Sequence, residues 1–311
     1  MKLAIFGGSG VVGQTLLPRL LADGHQIRAM RHQSPLPVEG IEVVQGSLAE
    51  TAAVAETLAD AEVVVQMTKG GSGIEQVVET AVRGTVNVLD AIRARGGVRQ
   101  YLLTSSDAAT GIWSHPHPQP ISHATEPFGY GGYYSLAKVL EEVIVADYHR
   151  NEGLPFTIAR LSFVMREDLA LRLFLAEAGR GPFDSNYTPQ QKARLAAGER
   201  FVVLPVNAAG EVLGRTLVQR EDVVDALAAM IGADAAIGQR FHLSGAAFGY
   251  EKPCRHLAEK LGLPVERVVV PDAHSFEIDY SLTTELLGWS PKFDVLAMLD
   301  AALAWRNKRQ P

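Results

Sequence analysis

The sequence predicts an α/β fold: a doubly wound parallel sheet with helices on both faces and a smaller C-terminal α/β lobe. Three observations point there. Short runs rich in Val, Ile and Leu alternate with longer stretches of helical period through roughly the first half of the 311 residues. The first run ends in a glycine-rich turn that opens a helix. After Arg160 the alternation breaks down, and residues 166–211 become rich in Arg, Gly and Pro. Repeated strand–helix–strand units imply parallel strands, because parallel pairing needs a crossover and such crossovers are right-handed.

Taken in order, the strands are expected at 3–6, 27–30, 41–44, 63–66, 101–104 and 156–159, each short, apolar and bounded by Gly, Pro or polar residues. The intervening helices are expected at 10–23, 51–58 and 75–95. The last carries apolar residues at 77, 78, 81, 82, 86, 88, 89 and 92, the spacing of one helical face. Beyond 166 the only strand signal before 212 is weak, at 201–206. A helix follows at 221–231, a strand at 240–244, a helix at 252–261, a strand at 267–270, and helices near 281–287 and 295–306. Residues 1–165 therefore read as one domain, its sheet completed by parts of 212–245, and residues 166–211 with 246–311 as a second lobe. The Pro/His run 114–120 reads as a loop tip.

Composition excludes several classes. Hydrophobic residues make up 47% and charged residues 21%, a globular balance that argues against disorder. Thirty-five acidic against twenty-nine basic side chains give a charge of −6, unlike a nucleic-acid binder. Cys254 is the single cysteine, so no internal disulfide forms, and as an apparent helix residue it reads as packing. His115, His117 and His123 lack the acid or cysteine pattern of a metal site, so no metal is expected. Apolar runs stop well short of the roughly 20 residues that cross a bilayer, and no targeting segment is visible. A soluble cytoplasmic protein without membrane or nucleic-acid partners is expected.

The turn Gly7-Gly8-Ser9-Gly10-Val11-Val12-Gly13 joins the first strand to the first helix. Its glycines suit a tight turn, close approach of backbone to a pyrophosphate and close helix–strand packing, and the helix N-terminus attracts an anion. Gly7, Gly10, Val11, Val12 and Gly13 are thus candidate dinucleotide contacts. At the end of the second strand, where a carboxylate would hold the ribose of NAD, stands Arg31. A guanidinium there favours NADP, with NAD still possible, or else Arg31 is a solvated loop residue.

Chemistry concentrates in two further places. Thr104-Ser105-Ser106-Asp107 ends the fifth strand, and Tyr133-Tyr134-Ser135-Leu136-Ala137-Lys138 opens a helix running to about 149. Tyr134 and Lys138 lie four apart, on one helical face. A phenol is a poor base near neutrality, and a neighbouring ammonium favours its phenolate. Ser106, at a strand's carboxyl end, would hold a substrate oxygen.

In its glycine turn, its strand-end serines, the Tyr134/Lys138 pair, Glu221-Asp222-Val223 and Leu287-Gly288-Trp289-Ser290-Pro291, the chain resembles an extended short-chain dehydrogenase/reductase of the NAD-dependent epimerase/dehydratase superfamily. The resemblance implies a Rossmann-type domain, with Tyr134 as general acid/base, Lys138 on the nicotinamide ribose and Ser106 orienting the reacting oxygen. It also implies a homodimer through helices 75–95 and 134–149.

Four positions depart from the family pattern. Ser47 replaces an adenine-contacting Asp, and Ala81 replaces an Asn that supports the site. Ala108 stands where sugar dehydratases carry an acid; Asp107 is one residue early and is expected to point elsewhere, which disfavours dehydration. Phe163 replaces an Asn that contacts a substrate diphosphate. Lys69, Asp107 and Phe163 are candidate substrate contacts, while Arg166, Arg172 and Arg180 are either anion ligands or solvated charges. The expectation is an NADP-preferring oxidoreductase interconverting an alcohol and a carbonyl on a small polar or sugar-like substrate. The alternatives are a (nucleotide-)sugar epimerase without net redox change and a non-catalytic NADP(H) sensor.

Overall fold

A computed structural model describes residues 1–71, 73–117, 120–129 and 131–309. Seven strands form one parallel sheet: β1 (Lys2–Phe6), β2 (Gln26–Arg31), β3 (Glu42–Gln45), β4 (Val63–Gln66), β5 (Gln100–Ser106), β6 (Phe156–Leu161) and, after a smaller strand β7 (Phe201–Val206), β8 (Gln239–Leu243). The order across the sheet is β8-β6-β5-β4-β1-β2-β3, and every neighbouring pair is parallel. The chain runs outward from β1 to β2 and β3, then returns to place β4 on the other side of β1. That reversal opens a crevice at the carboxyl ends of β1 and β4, where such sheets hold their ligands.

Side-chain alternation explains the two helical layers. In β1, Leu3 and Ile5 enter one core with Leu16, Leu17 and Leu20 of α1 (Gly13–Ala22). Ala4 and Phe6 enter the other with Val54 and Leu58 of α2 (Thr51–Leu58) and with Val88, Leu89 and Ile92 of a helix, α3, spanning 74–95. The second layer also contains Val145 of α4 (Tyr133–Glu152). Each fully buried Leu, Ile or Phe is worth about 1.5–3 kcal/mol, so both faces of the sheet are committed.

The expected elements appear with small shifts. The third strand runs one residue later than 41–44, at a sheet edge where burial does not constrain its ends. The first helix begins at Gly13 rather than residue 10, because residues 7–12 form the turn itself. Within α3, residues Val77–Gly84 wind as a π-helix, which apolar spacing alone does not signal. Of the 114–120 loop, Pro118 and Gln119 lie outside the described residues, as does Tyr130.

Later segments build a smaller sheet from Leu175–Ala176, β7 and β9 (Val265–Val269). It packs with α5 (Pro189–Ala196), α7 (Glu251–Leu261) and α9 (Val295–Asn307). The helix α6 (Arg220–Met230) instead lies on the large sheet beside α1. Two late motifs dock on each other after α8 (Ser281–Leu287): Trp289 Nε1 donates to the Asp222 carbonyl at 2.9 Å, and the Asp222 carboxylate accepts from the backbone of Lys292 and Phe293.

Candidate active site

At the crevice the glycines have distinct tasks. Gly7 adopts φ +87°, and a Cβ there would lie 2.6 Å from the Met67 carbonyl carbon, so the turn after β1 is pressed against the loop after β4. A Cβ on Gly13 would lie 2.3 Å from the Gly8 oxygen, which forbids a side chain where α1 meets the turn. At Gly10 a Cβ would meet only the Gly7 oxygen, at 3.3 Å, leaving its open side for a ligand. No side chain caps α1, so its first N–H groups and positive dipole end face the crevice. These residues fit a pyrophosphate. Val11 is exposed beside them, while Val12 packs on the core beneath.

Arg31 closes β2, one residue past Met30, which pairs with Phe6. It is exposed, and its Nε donates to Gln45 Oε1 at 2.8 Å. It stands level with Gly7, and Gln45 beside it carries no charge.

The helix α4 delivers the phenol and the ammonium. Tyr134 is 38% exposed near its start; Lys138, one turn on, is 3% exposed. Lys138 Nζ donates to the carbonyls of Thr68 (3.0 Å) and Thr104 (2.9 Å) and to Glu141 Oε2 (2.8 Å). It is thereby fixed between the loop after β4 and the end of β5. Burial works against its charge, but Glu141 and the nearby Tyr134 outweigh that and hold its pKa above the ordinary lysine value. Between Tyr134 and Lys138, Ala137 packs on Val77 and Ala81 of α3. A Cβ on Gly70 would come 2.2 Å from the Ala137 Cβ and 3.4 Å from that of Ala81. Ala81 therefore contributes packing to the site, with no polar group.

Ser106 ends β5 two residues beyond Thr104. Its Oγ accepts from Ala108 N at 3.2 Å and donates to Asp107 Oδ1 at 3.1 Å. This corrects the expectation for Asp107. Its carboxylate does not point away but turns in against Ser106, because a tight 3-10 turn over Asp107–Thr110 follows the strand and breaks its alternation. Trp113 Nε1 (3.1 Å) and Ser162 Oγ (3.4 Å) also donate to it. Burial nevertheless pushes this carboxyl up to about 6. Ala108 is buried and offers no acid.

Near this carboxylate is a group that the sequence reading missed. Arg215 is half-buried, with its guanidinium 4.7 Å from the Trp113 ring, 5.5 Å from Phe276 and 5.8 Å from Phe183. Its Nε has no hydrogen-bond partner. Burial lowers its pKa, while the Tyr250 and Asp107 charges act to raise it. Phe163, 37% exposed, lies edge-on to Trp113 at 6.3 Å. The arrangement is a cluster of aromatic rings holding one buried carboxyl group and one half-buried guanidinium. Only an arginine in a Gly-Arg pair seven residues before Asp222 hinted at it in the sequence.

A second missed feature supports the site from below. Arg160 of β6 and Glu142 of α4, both fully buried, form a two-pronged ion pair (3.0 and 2.8 Å), with Ser105 Oγ donating to Glu142 at 2.5 Å. Other candidates make local contacts: Ser47 bonds Glu50, Arg166 pairs with Asp168, and Arg180 pairs with Glu177. Lys69 is exposed, between Thr68 and Gly70 of the loop that meets α4. Cys254 is buried and donates to the Val203 carbonyl. Among the described residues, no group of three or more His, Cys, Asp or Glu side chains is placed to hold a metal.

Residues 3–243 match the family described as the NAD dependent epimerase/dehydratase family. A 2-alkyl-3-oxoalkanoate reductase of Stenotrophomonas maltophilia (strain K279a) is 27% identical over 293 residues, 91% of this chain and 81% of that one. The UDP-glucose 4-epimerase of Mycolicibacterium smegmatis is 27% identical over the full length of both. Among solved structures, a short-chain dehydrogenase/reductase superfamily protein from Agrobacterium tumefaciens with bound NAD superposes with a TM-score of 0.83 at 21% identity, covering 99% of this chain and 98% of that one. The UDP-glucose 4-epimerase of Thermotoga maritima with UDP-glucose gives 0.73 at 19% identity, covering 99% of each.

Proposed function

Because the chain belongs to the NAD dependent epimerase/dehydratase family, we propose that it is a nicotinamide-dependent oxidoreductase, preferring NADP, that interconverts an alcohol and a carbonyl on a small polar or sugar-like substrate. The observation that carries this reading is Lys138: a buried ammonium tied to Thr68 and Thr104, one helical turn from Tyr134 and two residues of β5 from Ser106. Gly7, Gly10, Val11, Val12 and Gly13 would hold the pyrophosphate, and Tyr134 and Lys138 the nicotinamide half. A bound nicotinamide supplies or accepts the hydride.

In the reducing direction Tyr134 gives its phenolic proton to the substrate oxygen, and Lys138 favours the phenolate left behind. Ser106 turns its hydroxyl from Asp107 to that same oxygen. Ala108 cannot remove a carbon-bound proton, which argues against dehydration. Residues 166–211 and 246–311 form the substrate lobe, with Arg215 taking an anionic group of the substrate and Trp113 and Phe163 its apolar part. Asp107 lies close enough to bond a substrate hydroxyl; exposed Lys69 sits at the rim.

Arg31, level with Gly7 and bonded to the uncharged Gln45, supports NADP, although solved relatives are described with bound NAD. The test is purified protein with NADPH or NADH and a panel of small carbonyl acids, followed at the nicotinamide absorbance. Turnover with NADPH supports the reading, as does its weakening by Arg31→Asp; no cofactor consumption with any substrate overturns it. Epimerisation is the second reading, because Arg215, whose Nε has no partner among the described residues, would also suit a diphosphate. Isomerised UDP-sugar without net consumption of cofactor would select it.

Exposed apolar residues on α3 (Ile74, Val78) and α4 (Tyr133, Leu136, Val143) support a homodimer through these helices. Among the described residues, no helix is long and apolar enough to cross a membrane. A cytoplasmic enzyme acting without nucleic acid is the matching proposal for its location.

A further inference from the structure

The Lys138 ammonium has three N–H groups, and three acceptors take them: two backbone carbonyls and Glu141 Oε2 at 2.8 Å. The carbonyls are neutral, so Glu141 is the charged group that touches the lysine. Its side chain is fully buried, and its second oxygen, Oε1, has no hydrogen-bond partner. A carboxylate is kept in such a place only when a buried cation requires it, since either charge alone would be strongly disfavoured there. Tyr134, Lys138 and Glu141 are spaced four and three apart, so they run along one stripe of α4. Opposite them, α3 presents Val77 and Ala81, which carry no charge.

We propose that Glu141 is a positioning residue: through its ion pair it holds the Lys138 ammonium in place and keeps it charged beside the Tyr134 phenol. The proposal rests on the reading of Tyr134 and Lys138 as the proton-handling pair. The other titratable groups facing the ion pair are Tyr134 and Glu142 on α4, Tyr101 on β5, and Arg160 on β6. Tyr101 is buried and stays a neutral phenol, its pKa raised by burial and by Glu141. Glu142 and Arg160 neutralise each other. Glu141 is therefore the acid in direct contact with Lys138 that offsets the burial of its charge. Removing it leaves the buried ammonium without its counter-ion, so Lys138 gives up its proton more readily and no longer favours the Tyr134 phenolate.

The experiment reads Tyr134 directly and needs no substrate. The phenolate absorbance of each protein is followed against pH, and that of the same protein carrying Tyr134→Phe is subtracted. In Glu141→Gln the Tyr134 midpoint rises by about one pH unit. In Glu141→Asp, whose shorter carboxylate retreats from the ammonium, it rises by about half as much. The order Glu, Asp, Gln is the signature that a purely structural role would not produce. An unmoved midpoint in a folded Glu141→Gln protein, with its melting temperature and circular dichroism retained, overturns the proposal. If Glu141→Gln does not fold, the Asp variant decides alone, and an unmoved midpoint overturns the proposal equally. Fluorescence titration with NADPH in the wild type reports separately on the cofactor reading. Loss of NADPH binding with an intact midpoint series refutes the function, and intact binding with a flat series refutes the role of Glu141.

Discussion

On the proposed reading, a phenol at the mouth of a cleft becomes a proton carrier through what lies one helical turn away. Lys138 is that neighbour, and its three hydrogen bonds leave its position little freedom. Tyr134→Phe keeps the ring and removes the proton, so kcat should fall by about 10²–10⁴-fold with little change in cofactor affinity. Steady-state kinetics with NADPH and the best carbonyl substrate check this. Asp107 makes a different prediction. Its carboxyl is about 6 in the folded protein against an ordinary 3.8, so the native state binds the proton more tightly than the unfolded state does. Stability from this group is therefore present below about pH 4 and declines as pH rises to about 6, by about 3 kcal/mol at most. Asp107→Asn, which removes the buried charge, should raise the melting temperature at pH 7 and lose that advantage at pH 4. A gain that is equal at both values would contradict the assignment.

Among the elements, α4 carries most of the site, and its fit depends on contacts too small to show as motifs. Gly70 lets the loop after β4 close on Ala137, between the two functional side chains. Gly70→Ala should cost about 1–3 kcal/mol by overpacking. It should also lower turnover more than it lowers stability, because Tyr134 and Lys138 move with Ala137; a melting scan beside an activity assay separates the two effects. The opposite balance is expected below the site. Glu142→Gln leaves Arg160 buried without its partner, at a cost of about 3–5 kcal/mol, and should unfold the protein at moderate temperature. A melting point within a few degrees of wild type would show that the pair is dispensable. The helix α4 itself was legible from spacing, but its two acids were not. Nothing in their spacing sets Glu141 and Glu142 apart from surface charges until the sheet is placed against them.

For the whole molecule, one long-range prediction concerns association. Ile74, Val78, Leu136 and Val143 are exposed on neighbouring helices α3 and α4. Light scattering should give twice the chain mass, and charged substitutions at Leu136 and Val143 should halve it; a wild-type monomer would refute the dimer. The sequence alone determined the parallel sheet, the glycine turn and the Tyr134–Lys138 spacing, because all three are written in local periodicity: two residues per pleat, 3.6 per helical turn, and a left-handed residue at Gly7. It also placed β8 near the sheet through the strand signal at 240–244, where Phe241 and Leu243 alternate with polar residues. Only tertiary structure decided which way Asp107 faces, that Arg215 lies over the aromatic rings near it, and that Glu141 and Glu142 are divided between Lys138 and Arg160. These are meetings between segments up to 108 residues apart, as Asp107 and Arg215 are. Their energies come from burial and charge pairing that no local pattern encodes, since a charged residue looks the same in sequence whether water or another charge surrounds it.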